Sequence, residues 1–122
     1  MKIRRMFVHG SHFSRTWKAL GFTDEDLRRL ELTLLENPKA GSVIVGTGRL
    51  RKIRFALPGG GKSGGVRVCY VDFEEKGICY LLAVFAKNEQ ENLTATERNA
   101  LKSQIELLER TLKGGTSNER GI

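Results

Sequence analysis

The sequence predicts a small α+β domain, and three observations support this prediction. The chain has 122 residues, which suits one domain and is too short for two of ordinary size. Apolar residues recur at helical spacing before residue 37 and again after residue 94, whereas a two-residue alternation lies between these segments. Residues 4–8 are interpreted as a short first strand. We therefore expect a strand, two helices, an antiparallel sheet and a final helix, with the helices packed mainly on one sheet face.

The first two helices are expected to form an antiparallel hairpin, because only a very short turn separates them. Ser11 is expected to cap the first helix, and Gly21 ends it. Thr23 and Asp26 have the spacing of a capping box, which marks the start of the second helix. Pro38 stops that helix, because the residue before a proline avoids the helical conformation. The apolar faces consist of Phe13, Trp17 and Leu20, followed by Leu27, Leu30 and Leu34.

The middle of the chain is expected to form a three-stranded antiparallel meander. Residues 52–57 and 66–71 show the two-residue alternation of strands. Residues 78–85 are almost entirely apolar, which is typical of a central strand buried on both faces. Residues 74–77 should form the turn that joins the last two strands as a hairpin.

The C-terminal segment is predicted to be an amphipathic helix. Thr94 and Glu97 have the spacing of a second capping box. Apolar residues follow at helical spacing: Leu101, Ile105, Leu108 and Leu112. The polar residues from Gly114 onward are expected to fray. The predicted domain therefore spans residues 1–113, with a polar tail at residues 114–122.

Basic residues are segregated along the chain. The net charge is +7, and between Ser42 and Tyr70 there are six basic residues and no acidic one. These six are Arg49, Arg51, Lys52, Arg54, Lys62 and Arg67. Segregated charge creates a local positive field, which favours a polyanionic partner such as nucleic acid. Solubility alone is the alternative explanation for the net charge.

Several classes of protein and site do not fit the sequence. No apolar run is long enough to span a bilayer, and the N-terminal residues lack the apolar core of a signal peptide. Two cysteines in such a chain predict reduced thiols and a cytoplasmic location. Cys69 and Cys79 lack metal-ligand spacing and are predicted to be small core residues, whereas His9 and His12 are assigned surface or capping roles. We therefore expect neither a metal nor another cofactor.

The glycine-rich residues 59–65 only partly match a phosphate-binding P-loop. That pattern needs a glycine where Ala56 stands and a helix after the loop, but here a strand is predicted to follow. We interpret the segment as a flexible hairpin loop that carries Lys62, because glycine permits such loops at low steric cost.

Three basic residues are expected to lie together on the sheet. Lys52 and Arg54 are two residues apart on one predicted strand, so they share a face. Arg67 lies on the next strand, out of phase with its apolar neighbours, and Lys87 ends the strand after that. Crowded cations repel each other unless an anion completes the arrangement. The alternative is a solvated basic face without a specific role.

Three separated segments of the chain are distinctive when taken together and in order. They are residues 46–55 (GTGRLRKIRF), 61–68 (GKSGGVRV) and 86–94 (AKNEQENLT). Together they resemble the HigB branch of the RelE/ParE toxin superfamily, and the resemblance covers most of the chain. It implies a helical hairpin on a small antiparallel sheet, with a C-terminal helix. It also implies cleavage of messenger RNA, usually on the translating ribosome, which inhibits translation.

The resemblance implies catalytic or RNA-contacting roles for Lys52, Arg54 and Arg67, and more loosely for Lys87. RelE-like members often have an arginine where this chain has Asn88, and a tyrosine near the last helix, whereas no tyrosine follows Tyr80 here. These departures leave the identities of the general acid and base open. The remaining predicted RNA-binding residues are Arg49, Arg51, Lys62 and Asn88.

RNA can be cleaved without a metal when its 2′-hydroxyl attacks the adjacent phosphate. One proton must be removed, another supplied, and the added negative charge stabilised. Lys52 is the candidate base or proton shuttle, since neighbouring cations make a lysine easier to deprotonate. Arg54 and Arg67 would hold the phosphate, because a guanidinium stays charged and its fork fits phosphate oxygens. Lys87 is the candidate acid for the leaving 5′-oxygen.

The resemblance also implies partners. They are a cognate antitoxin of the HigA-like helix-turn-helix type, messenger RNA and the ribosome, with DNA bound only through the antitoxin complex. Two alternatives stay open at this point: a ParE-like poison of DNA gyrase on the same scaffold, and an RNA- or ribosome-binding module without catalysis. Cleavage of RNA would distinguish the messenger RNA-cleaving toxin from both alternatives.

Overall fold

The protein is an α+β domain, as the sequence predicts. The computed structural model describes residues 4–56, 65–87, 90 and 92–121, of which 114–121 are described by backbone alone. The elements in chain order are β1 (Met6–His9), α1 (Ser11–Ala19), α2 (Asp24–Glu36), β2 (Ser42–Val43), β3 (Arg51–Phe55), β4 (Val66–Phe73), β5 (Ile78–Ala86) and α3 (Ala95–Gly121). A short 3₁₀ turn, Glu74–Lys76, connects β4 and β5. Within the described residues, no helix is both long and apolar enough to cross a membrane.

The five strands form one sheet in the order β1-β5-β4-β3-β2. β3, β4 and β5 are the predicted antiparallel meander, whereas β1 runs parallel to β5 and makes the sheet mixed. Arg5, just before β1, forms a buried two-pronged ion pair with Asp72 of β4, with Nε–Oδ1 and Nη2–Oδ2 distances of 2.7 and 3.0 Å. β2 pairs with β3 over two residues only, which is too short for a periodic pattern to reveal.

The sheet has an apolar core on each face. α1 and α2 cover one of them, the α1/α2 face, which includes Val68, Tyr70 and Leu81. α3 covers the other, the α3 face, which includes Cys69 and Val71. The prediction that the helices pack mainly on one face is therefore wrong. Both alternating sets of side chains on β4 are mainly apolar, so each face needs a cover.

The helix boundaries follow local chemistry, with two differences from prediction. Gly10 occupies the N-cap of α1 in an extended conformation, so Ser11 is the first helical residue and not the cap. The backbone of residues 114–121 continues α3 where a fraying tail is predicted. A glycine inside a helix costs only about 1 kcal/mol, and no proline follows to stop the helix. The helical hairpin prediction agrees with α1 and α2 packing on the same face, joined by residues 20–23.

Both predicted capping boxes are confirmed. Thr23 Oγ1 accepts from the Asp26 amide at 3.1 Å, and the Asp26 carboxylate accepts from the Thr23 amide at 2.8 Å. At the start of α3, Thr94 and Glu97 make the same reciprocal pair at 3.1 and 2.8 Å. Each box satisfies amides that would otherwise lack a helical partner.

Tyr70 attaches the chain after α2 to the sheet. Its buried hydroxyl donates to the Pro38 carbonyl at 2.8 Å and accepts from the Gly41 amide at 2.9 Å. Burial raises the pKa of Tyr70, so the hydroxyl keeps its proton at neutral pH. A Cβ on Gly41 would lie 2.8 Å from the Lys52 carbonyl oxygen and 2.9 Å from the Tyr70 ring. Only glycine therefore fits this close approach without a shift.

We expect Tyr70→Phe to lower the free energy of unfolding by about 1–3 kcal/mol, because the buried Gly41 amide and the half-buried Pro38 carbonyl lose their partner. The measurement is urea unfolding of the purified protein. Tyr80→Phe is the matched control, since it also removes one hydroxyl, and Tyr80 has no hydrogen bond to the described residues through that group. An equal loss of stability in both variants would contradict the proposed anchoring role of Tyr70.

The two cysteines are core residues, as predicted. Cys69 lies on the α3 face and Cys79 on the α1/α2 face, so the sheet separates them. Burial raises the pKa of each thiol to about 12, and the weaker effect of the Lys52 charge on Cys69 does not offset it. At neutral pH both thiols are therefore protonated and shielded.

Neither thiol should react with an aromatic disulfide reagent while the protein is folded at pH 7. Both should react once denaturant unfolds the chain, because only the exposed thiolate is a nucleophile. The absorbance of the released thiol measures the number of reactive groups. A full reaction with one thiol under native conditions would show that one of the two sites opens locally.

Candidate functional site

Three basic side chains lie on the α3 face of the sheet, and we call Lys52, Arg54 and Arg67 the basic cluster. The β3–β4 register places Arg54 directly opposite Arg67, and Lys52 opposite Cys69. Ile53 and Phe55 of the same strand belong to the core of the other face. Alternation along β3 therefore turns both cations of that strand away from its apolar residues, as the sequence predicts.

The basic cluster is close-spaced and accessible. Residues directly opposite each other on antiparallel strands have Cβ atoms about 4.5–5.5 Å apart, so Arg54 and Arg67 start from neighbouring positions. Arg54 is exposed, whereas Lys52 and Arg67 are half-buried. Two surface cavities are lined by Arg49, and neither includes a residue of the basic cluster. The basic cluster is thus accessible to solvent and separate from these two cavities.

Lys52 has a defined contact. Its ammonium donates to the Asn92 side-chain oxygen at 2.7 Å, and Asn92 lies three residues before α3 begins. This contact brings the N-terminal end of α3 beside the basic cluster. A helix N-terminus carries a positive partial charge, which adds to the field of the cations. Neither the charge pattern nor the family resemblance assigns a role to Asn92, although it lies within the matching segment 86–94 and just before a capping box.

Glu97 is the carboxylate of the α3 cap, near the basic cluster. The Glu97 carboxylate accepts from the Thr94 amide at 2.8 Å and from the Gln90 side chain at 3.1 Å. The hydrogen bond from the Thr94 backbone, followed by the one from Gln90, lowers the pKa of Glu97. The carboxylate is therefore ionised at neutral pH, and its hydrogen bonds hold it at the helix cap.

Lys87 lies at the same end of the sheet as Arg54 and Arg67. It follows Ala86, the last residue of β5 and the pairing partner of Val66. The Lys87 amide donates to the Gly65 carbonyl at 3.5 Å, and the residue is exposed. Its position agrees with the predicted grouping. The predicted RNA contacts Lys62 and Asn88 lie outside the described residues.

Arg49 is placed apart from the basic cluster and has partners within the protein. Its guanidinium lies 4.4 Å from the centre of the Phe73 ring and donates to the Asp72 carbonyl at 2.8 Å. It also forms ion pairs at 3.3 Å with Glu75 and with Glu109 of α3. Arg49 therefore joins α3 to the end of β4.

Arg51 also lies away from the basic cluster. It pairs with Tyr70 across the two strands, so its side chain leaves the sheet on the α1/α2 face. One guanidinium nitrogen donates to the Gly41 carbonyl at 2.7 Å. The structure thus divides the predicted basic segment, since Lys52, Arg54 and Arg67 share one surface whereas Arg49 and Arg51 support neighbouring loops and turns. RNA binding by Arg49 and Arg51 stays a prediction.

The basic cluster has the groups needed to act on a phosphodiester. Two guanidinium groups can hold a phosphate and stabilise added negative charge. An ammonium can transfer a proton or add a further contact. Polyanions other than RNA also carry phosphates, so the geometry alone defines a class of ligand and not a reaction.

Comparisons with known proteins identify the family and the fold. The family model described as the RelE toxin of the RelE/RelB toxin–antitoxin system matches residues 4–113. A double arginine-to-alanine mutant of Escherichia coli RelE in the free state is 23% identical, with a TM-score of 0.53 over 72% of this chain and 88% of that one.

Two further solved structures are similar. The isolated E. coli RelE toxin is 22% identical, with a TM-score of 0.51 over 81% of this chain and 97% of that one. The intact E. coli RelBE toxin–antitoxin complex contains a chain that is 24% identical, with a TM-score of 0.50 over 66% of this chain and 93% of that one. At these identities the structural likeness shows the fold alone, and the HigB branch stays a prediction. Because the family model spans nearly the whole described domain, the chain belongs to the RelE toxin family, within the RelE/ParE superfamily that its sequence resembles.

Proposed function

We propose that this RelE-family toxin is an endoribonuclease that cleaves messenger RNA on the ribosome and thereby inhibits translation. The observation that carries the proposal is the basic cluster, in which Lys52, Arg54 and Arg67 share one accessible face of the sheet. These residue types supply phosphate binding and proton transfer from the protein itself. Cleavage therefore needs no metal, and we assign the activity to the cytoplasm, where messenger RNA is translated.

The proposed reaction is an in-line transfer within the RNA. Lys52, in its uncharged amine form, takes the proton of the 2′-hydroxyl and becomes an ammonium, and the 2′-oxygen then bonds to the adjacent phosphorus. Arg54 and Arg67 contact the non-bridging oxygens, where negative charge increases in the transition state. The bond from phosphorus to the 5′-oxygen breaks, and Lys87 gives that oxygen a proton. The products are a 2′,3′-cyclic phosphate and a 5′-hydroxyl.

We also propose that a cognate antitoxin binds the toxin. The similar E. coli protein is described in a toxin–antitoxin complex, and the net charge of +7 suits an acidic segment of a partner. The HigB branch would make this partner a HigA-like helix-turn-helix protein that supplies any DNA binding. Co-expression of the neighbouring gene should restore growth, and failure of both neighbouring genes to do so would contradict this partner.

We expect Arg67→Ala to reduce cleavage of ribosome-bound messenger RNA by about 10²–10³-fold, because a transition-state contact is lost. Arg67→Lys should recover only part of the rate, since an ammonium lacks the two-pronged fork of a guanidinium. Primer extension on RNA from reconstituted translation reactions measures both rates. Arg29→Ala is the charge-matched control, because exposed Arg29 lies on α2, which covers the opposite sheet face.

Full cleavage by Arg67→Ala would contradict the proposed site. A toxin that leaves RNA intact and causes DNA breaks would instead be a gyrase poison. Ribosome binding without cleavage would indicate a binding module. These three outcomes separate the proposed function from both alternatives.

Binding of the toxin to single-stranded RNA should weaken steeply as salt rises, because bound cations release counterions from the phosphates. Arg54→Ala should reduce the slope of log affinity against log salt by about 0.7, the value for one phosphate contact to a single strand. Filter binding over a range of salt concentrations measures the slope. The melting temperature of Arg54→Ala should stay level or rise, since an exposed cation opposite Arg67 is removed. A slope equal to that of the wild type would exclude Arg54 as a phosphate contact.

A further inference from the structure

The segment before α3 holds the side chain that contacts Lys52. We propose that Asn92 is a positioning residue that orients the Lys52 amino group for proton transfer, an inference that rests on the proposed ribonuclease function. The observation behind it is the 2.7 Å hydrogen bond from Lys52 Nζ to Asn92 Oδ1, which joins residues forty positions apart in the chain.

Asn92 is itself held on both sides. The Gln90 side chain donates to the Asn92 carbonyl at 3.1 Å and to the Glu97 carboxylate at the same distance. Leu93, the next residue, is buried in the core of the α3 face with 7% of its surface exposed. The cap of α3 and the core therefore fix the backbone of Asn92, so its side chain can hold Lys52 in place rather than move with it.

Lys52 needs such a restraint. A lysine side chain has four rotatable bonds, and ordering a long charged side chain costs conformational entropy. Because side chains alternate along β3, the Lys52 side chain leaves the sheet on the α3 face, beside buried Cys69. Asn92 restrains the far end of that side chain. When the Lys52 amine is uncharged, one N–H can bind Asn92 while the lone pair stays available to accept the 2′-hydroxyl proton.

The amide of Asn92 suits this role better than a carboxylate. A neutral oxygen orients the ammonium but adds no negative charge to the basic cluster. A carboxylate at the same distance would stabilise the protonated amine and offset the field that attracts phosphate. Among the described residues, the charged groups near Lys52 include Arg54 on β3, Arg67 on β4 and the Glu97 carboxylate at the start of α3.

The first test is a double-mutant cycle on cleavage of ribosome-bound messenger RNA. Asn92→Ala should lower kcat by about tenfold with little change in KM, because misplacing a reacting group slows the chemical step. In a Lys52→Ala background the same change should have no further effect, since Asn92 acts through Lys52. Asn99→Ala is the matched control, because exposed Asn99 lies on α3 and makes no hydrogen bond to Lys52 within the described residues. Equal effects of Asn92→Ala in both backgrounds would overturn the inference.

A pH profile separates positioning from a structural role. Asn92→Asp places a carboxylate opposite the ammonium, so the limb of the rate profile that depends on Lys52 should move to higher pH by about one unit. Asn99→Asp adds the same charge on α3 and should leave the limb in place. An unchanged profile in Asn92→Asp would count against the inference.

The contact can also be tested without activity. Competitive acetylation followed by mass spectrometry should show Lys52 reacting about two- to fivefold faster in Asn92→Ala, the range expected for loss of one exposed hydrogen bond to a charged group. An unchanged rate would overturn the inference. A wild-type protein that fails to cut RNA would overturn the nuclease and the positioning role together. A wild type that cuts RNA, with Asn92→Ala as active, would overturn the positioning role alone.

Discussion

The register between β3 and β4 is the constraint on which both the core and the candidate site depend. A shift of one residue would turn Lys52 and Arg54 into the apolar core under α1 and α2 and would place Ile53 on the α3 face. Burying two cations without partners is far costlier than burying the apolar residues. The same alternation that builds the core therefore also assembles the basic cluster. Tyr70 and Gly41 support this register from the side, because their hydrogen bond holds the loop that leads into β2.

Periodicity and local chemistry were enough to predict most elements and the composition of the basic cluster. The capping boxes at Thr23 and Thr94 depend on residues three positions apart, so short stretches of sequence reveal them. The shared face of Lys52 and Arg54 follows from alternation on one strand. The position of α3 was not predictable in this way, because an amphipathic helix shows that it covers an apolar surface but not which surface it covers.

The contacts of Arg49 and Asn92 show the same limit. The partners of Arg49 include Glu109, sixty residues away, and Lys52 contacts Asn92, forty residues away. Charge along the sequence therefore overstated the extent of the basic surface, since ion pairs with Glu75 and Glu109 offset the charge of Arg49. The positive charges of the basic cluster lie near the N-terminal end of α3. A basic segment in a sequence thus predicts that the protein has a positively charged surface, but it does not predict which of the basic residues form that surface.

The parallel pairing of β1 with β5 has a consequence for how the chain is made. Met6 to His9 pair with Ile78 to Leu81, so the first strand has no partner until most of the polypeptide has been synthesised. Such distant pairing is slow to form compared with local contacts. The segment containing Asn92, whose side chain contacts Lys52, follows β5 and is made later still. A growing nascent chain therefore carries Lys52, Arg54 and Arg67 before it can complete the sheet or form the Asn92 contact, so any toxicity that depends on the folded site begins only when synthesis is nearly finished.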